Sequence, residues 1–260
     1  MKSASYWACL VIAFIAISVS VFVWMLEPVP RHLPDWTFYS ALVWQFLALI
    51  FLAFAFRDCQ ISFLLAAFSV CCVMRCVGVN GFWFDLIPVL VAALSLLLAF
   101  FIVVYCDLHQ PLKGLGLSAV DWQFTFFRLY LGFNLINHSA EKLFSGPGPF
   151  HQDVSAFISL GVPDPASFVL LAGLCEFAGA ISLGLGFLTR LGALGTSVYL
   201  LVATVLGHHF NIGYIWALPG GGWEYPMLWT VFTVSYAFTG AGPYSIDGWI
   251  KRRKVNLVCR

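Results

Sequence analysis

Runs of about 20 apolar residues follow one another along this chain, each long enough to cross the hydrocarbon core of a bilayer. Such a core offers no water to backbone N–H and C=O groups, so a crossing segment must satisfy them within itself. The runs therefore predict an all-α fold, a polytopic helical membrane protein. Composition agrees, since 61% of residues are hydrophobic and only 10% are charged, far from the balance of soluble domains. A net charge of +1 gives no reason to expect a nucleic-acid partner, and the lipid bilayer is the first partner implied.

The pattern predicts about eight transmembrane helices, over residues 6–26, 38–56, 61–79, 86–105, 124–144, 166–188, 191–206 and 225–239. They form two four-helix units: an N-terminal membrane region (1–106) and a second region (124–250). A cytoplasmic linker (107–123) containing Pro111, Gly114 and Gly116 joins them, and a basic tail (251–260) follows. The first run is too long for the apolar region of a signal peptide. Its one small-residue cleavage candidate, Ser18 with Ser20, is buried inside it.

Orientation follows from the cations. Lys251, Arg252, Arg253 and Lys254 hold the C-terminal end in the cytoplasm by the positive-inside rule, and an even number of spans puts Lys2 there too. Arg57, Lys113, Arg128 and Arg190 fall at cytoplasmic ends of the same map, leaving Arg31, Arg75 and Lys142 toward the outside. Trp7, Trp122 and Trp249 mark one aromatic belt, and Trp24, Trp36, Trp83 and Trp223 the other. The chain's 8 cysteines include no Cys-x-x-Cys pair. Cys71, Cys72 and Cys76, on an apolar helix, read as small hydrophobes.

One predicted span is interrupted by polar groups. At about 100° per residue, Asn134, Asn137, His138, Glu141 and Lys142 share a helix face. Ionisable side chains are costly in hydrocarbon and usually face a bundle interior or a wet cavity. Asn134, Asn137 and Lys142 are therefore candidate ligand-binding residues, with snorkelling to the headgroups as the alternative for Lys142. His138 and Glu141 are candidates for proton transfer. Glu176 lies about ten residues into its span, near the membrane midplane. It is either a carboxylate satisfied by a neighbouring Tyr, Asn or His, or a proton relay; Ala172, Gly173, Gly179 and Ala180 would let that neighbour come close. Glu224 opens the last span, where it either complements the helix dipole or joins the ligand-binding set. His151, His208 and His209 match no metal-ligand spacing, and no metal site is assigned.

From Arg128 onward the chain resembles the DoxX/DoxD family of small polytopic membrane proteins. The matching residues are Arg128, Leu129 and Gly132, then Lys142 with Leu143, and Gly161, Val162 and Pro163. They continue with Glu176 and Gly179, Leu183 through Gly186, Thr189 with Arg190, and Gly221 through Tyr225. Gly240, Gly242 and the stretch Pro243 through Asp247 complete the match. The resemblance covers residues ~124–250 and implies a four-helix membrane unit there; residues 1–120 lie outside it. It further implies a bacterial inner membrane and a component of a redox system, since family members include membrane subunits of a thiosulfate:quinone oxidoreductase. A quinone or a redox partner protein would then be the cofactor or partner. Two other readings stay open: a small-molecule or anion transporter, and a membrane assembly or scaffolding subunit.

The charge map is directly testable. Reporter fusions after Arg260 and within 146–164 should score on opposite sides of the membrane; scoring on the same side would overturn the predicted span count.

Overall fold

The computed structural model describes residues 3–26, 35–57, 60–79, 83–109 and 115–258. Lys2, Arg31, Pro111, Lys113 and Gly114, used in the sequence reading, lie outside them. All regular elements among the described residues are helical. They are α1 (Ala4–Leu26), α2 (Asp35–Ala55), α3 (Gln60–Gly78), α4 (Trp83–His109), α5 (Ala119–Leu143), α6 (Pro147–Ser159) and α7 (Pro165–Gly179). A π-helical turn, Ala180–Leu185, prolongs α7, followed by α8 (Thr189–Leu206), α9 (His209–Ile212), α10 (Glu224–Thr239) and α11 (Ile246–Val258).

Among the described residues, six helices are long and apolar enough to cross a membrane: α1 to α4, α7 with its π-helical turn, and α8. The other two predicted spans depart from that standard for different reasons. At 25 residues α5 is long enough but carries Asp121, Arg128, Glu141 and Lys142, whereas α10 has only 16 residues. Three helices among the described residues, α6, the short α9 and α11, were not expected. Pro147 opens α6, because proline is well tolerated in a helix's first turn. The basic tail is helical as far as Val258, within α11.

The chain divides into two compact units, Met1–Gln123 with Ile136–Phe150, and Phe124–Leu135 with His151–Arg260. In the first, Leu10, Ala13 and Ile17 of α1, Ala48 and Leu52 of α2, Leu64, Val70 and Val73 of α3, and Val89 and Ala92 of α4 are all at most 1% exposed. The small alanines in this set allow close helix approach, the main source of packing energy where lipid removes the hydrophobic drive. Several polar groups in the unit find partners within it. Gln45 Nε2 donates to Ser20 Oγ (2.9 Å). Asp107, near the end of α4, accepts the Gly116 and Leu117 amides and Trp122 Nε1 at 2.7–2.9 Å. Ser118 and Asp121 form a capping box at the start of α5. At its other end the orphan carbonyls take Trp36 Nε1 at Leu143, Thr37 Oγ1 at Ser145 and Cys76 Sγ at Phe144.

The second unit is organised around Arg128. Expected as a boundary cation, it is instead 0% exposed. Its Nη1 donates to the carbonyls of Leu183 and Gly184, and its Nη2 to Tyr244 (2.7 Å). The first two carbonyls lie at the end of the π-helical turn, where helix groups lack partners along the chain and the dipole favours a cation. Gly132, one turn further along α5, provides the room: a Cβ there would stand 1.9 Å from the Gly184 amide nitrogen. Gly186, at φ +69°, then reverses the chain, and its carbonyl accepts the Asp247 amide (2.9 Å). Asp247 in turn accepts the Leu188 and Thr189 amides, both at 2.9 Å, at the start of α8. Along α10, Tyr236, Phe232 and Trp229 meet Phe124, Phe127 and Tyr130 of α5 in antiparallel order.

This arrangement predicts which changes are tolerated. G132A should lower thermal stability in detergent by about 3 kcal/mol, since overpacking a tight contact costs that much. G195A, with nothing within 4 Å of its added methyl, should be neutral or stabilising. R128K should also lose about 3 kcal/mol, because an ammonium lacks the fork that serves three carbonyls and each charge-assisted bond is worth about 1.5–3 kcal/mol.

Candidate functional site

Glu176 is the most deeply placed carboxylate of the predicted set. It lies eleven residues after Pro165 in the 21-residue crossing segment Pro165–Leu185, and it is 6% exposed. Tyr199 Oη donates to its Oε1 at 2.6 Å. The bond follows from how α7 and its π-helical turn run against α8. Gly179 faces Thr196, and an added Cβ would stand 2.6 Å from the Thr196 hydroxyl oxygen. Further along, Gly192 faces Ser182, where the same test gives 2.1 Å. The small residues around Glu176 thus bring in a close neighbour, and that neighbour carries a phenol. Tyr199 is half-buried and Val198, next to it in α8, is 55% exposed, so the tyrosine end of the pair lies next to an apolar outer face.

The polar end of α5 is arranged differently from its one-face pattern. Glu141 pairs with Arg75 of α3 rather than with the adjacent Lys142. Arg75, expected to snorkel at a span end, thereby cancels a charge inside the first unit. Lys142 is 8% exposed, and its Nζ donates to the His138 carbonyl at 3.3 Å; it is packed in protein rather than extended to headgroups. His138 is exposed and Asn137 half-buried. These four residues belong to the first unit, whereas Asn134, Glu176 and Glu224 belong to the second.

Glu224 is exposed at the start of α10, and its Oε2 accepts the Trp216 amide (3.1 Å). With the Trp223 and Glu224 amides bonded to Gly213 and Tyr214, it fastens the loop before α10. His209 Nδ1 lies 2.7 Å from the Gly221 carbonyl in the same region. Among the described residues no group of three His, Cys, Asp or Glu side chains gathers as a metal site.

Two contributors escaped the sequence reading. Tyr199 is a lone tyrosine in an apolar helix, 23 residues from Glu176, and no local spacing links them. Arg128 has the signal that could have revealed its burial: Phe126, Phe127 and Leu129 surround it, an unusual setting for an interfacial cation.

Among known proteins, no curated protein and no solved structure matches the chain. Residues 124–209 match the model of the DoxX family, a stretch holding Arg128, Gly132, Glu176, Leu183, Gly184 and Tyr199. Over that stretch, about a third of its length, this polytopic membrane protein is similar to the DoxX family.

Proposed function

We propose that this DoxX-domain membrane protein is a component of a redox system in which Glu176 and Tyr199 handle protons for a lipophilic carrier of the quinone class. The observation that carries the reading is the 2.6 Å bond between the phenol and the carboxylate inside a crossing segment. A carboxylate and a phenol sharing a proton away from bulk water form a unit that can accept or release one without a free charge in hydrocarbon. Quinone reduction takes up electrons and protons together, so such a pair answers its proton requirement, with electrons supplied by a redox partner. The apolar outer face beside the pair suits a carrier that arrives through the bilayer. In the first unit, Asn137, His138, Glu141 and Lys142 are assigned to contact with a small reduced species. Asn134 and Glu224 have the corresponding ligand-contact assignment in the second.

Full-length protein purified from membranes should release a quinone on solvent extraction, detected by mass spectrometry. E176Q and Y199F should keep the wild-type elution profile and retain about tenfold less, the equivalent of one hydrogen bond of about 1.4 kcal/mol. Wild-type protein free of quinone, or variants that retain it fully, would reject the reading.

A further inference from the structure

A second candidate site lies within the second unit, away from the Glu176–Tyr199 pair. A cavity of about 640 Å³ opens between the start of α8, the loop after α10 and α11, within the roughly 300–1,000 Å³ usual for ligand sites. Arg190, Lys251 and Arg252 line it. The carboxylate on its wall, Asp247, is already committed to the Leu188 and Thr189 amides, leaving the local charge positive. Arg252 Nη1 donates to the Pro243 carbonyl (2.7 Å), which fixes one guanidinium against the wall. Arg190 and Lys251 make no hydrogen bond or ion pair among the described residues. Gly240 and Gly242, both at positive φ, present no side chain at two positions of the loop side, and Arg190 Nε lies 3.5 Å from where a Gly240 Cβ would stand.

The rim of this cavity is apolar. Leu188 and Leu191 are 56% and 69% exposed, and both line the opening. A free inorganic anion would gain nothing from them, whereas a ligand carrying both a phosphate and hydrocarbon would satisfy cations and leucines at once. The sequence places this end of the unit at the cytoplasmic boundary, where anionic lipids concentrate and where basic pockets among crossing helices hold their headgroups.

We propose that Arg190, Lys251 and Arg252 form a binding site for the phosphate headgroup of an anionic phospholipid, with its chains lying against Leu188 and Leu191. The site serves membrane anchoring or lipid dependence and is independent of the proton-handling pair. Native mass spectrometry of the full-length protein in detergent tests it with three probes: phosphatidylglycerol, phosphatidylcholine and inorganic phosphate. Phosphatidylglycerol should be retained at least about tenfold better than phosphatidylcholine, and millimolar phosphate should not displace it. R190Q/K251Q, which leaves the Arg252–Pro243 bond in place, should abolish that preference without changing the thermal unfolding midpoint. R253Q/K254Q removes two neighbouring charges outside the cavity and should retain the preference. Equal retention of the two lipids, or equal losses in the two double variants, would overturn the proposal. Displacement by phosphate would overturn its lipid assignment in favour of a free-anion site. Because Glu176 and Tyr199 are unaltered in every variant, quinone content can be followed in the same samples and the two proposals fail separately.

Discussion

A guanidinium with no exposure to solvent must be hydrogen-bonded nearly everywhere it can be, because an uncompensated buried charge costs several kcal/mol. In the second unit the carbonyls of Leu183, Gly184 and Tyr244 serve both terminal nitrogens of Arg128, while its Nε has no hydrogen-bond partner among the described residues. Much of the local architecture follows. The helix after Gly179 widens into a π-helical turn whose final carbonyls face the cation, and glycine is needed at 132 for the backbones to approach. The segment before α11 must return to the same point to supply its carbonyl, which brings Asp247 to the amides that open α8. One buried charge thus joins α5, the end of the α7 segment, the start of α8 and the start of α11.

The same rule governs the other ionisable groups of the apolar helices. Glu141 is met by Arg75 and Glu176 by Tyr199, while Asp107 takes three N–H donors where the chain enters α5. Each has a partner within the protein, as expected where the surroundings offer little solvent. The pairings differ in chemical consequence. The Arg75–Glu141 pair consists of two opposite full charges that offset each other. The Glu176–Tyr199 bond joins two groups that can each hold or lose a proton, which makes it the stronger candidate for chemistry.

The motifs by which the chain resembles the DoxX family acquire physical meaning from these contacts. Arg128 and Gly132 are the cation and the gap; the Leu183–Gly186 stretch provides the carbonyls and the turn. Glu176 and Gly179 are the carboxylate and the close approach that brings α8, and with it Tyr199, alongside. Tyr244 and Asp247 close the same knot from the C-terminal side. Most of the recognisable residues therefore build the scaffold, and Glu176, 6% exposed, is the buried carboxylate among them.

The sequence by itself determined the class of fold, since long apolar runs must become helices wherever backbone groups cannot reach water. It also marked Glu176 as buried, through a carboxylate at mid-span flanked by small residues. It could not assign partners. Glu141 was read beside Lys142, its neighbour in the chain, whereas α3 supplies Arg75. The continuous apolar run 166–188 hid a change of helical pitch, because a π-helical turn whose carbonyls meet a distant arginine leaves no mark in hydropathy. Helix periodicity reports which residues share a face. Which group stands opposite depends on the close approach of separate helices, set here by Gly132, Gly179 and Gly192, and only the tertiary structure decided that.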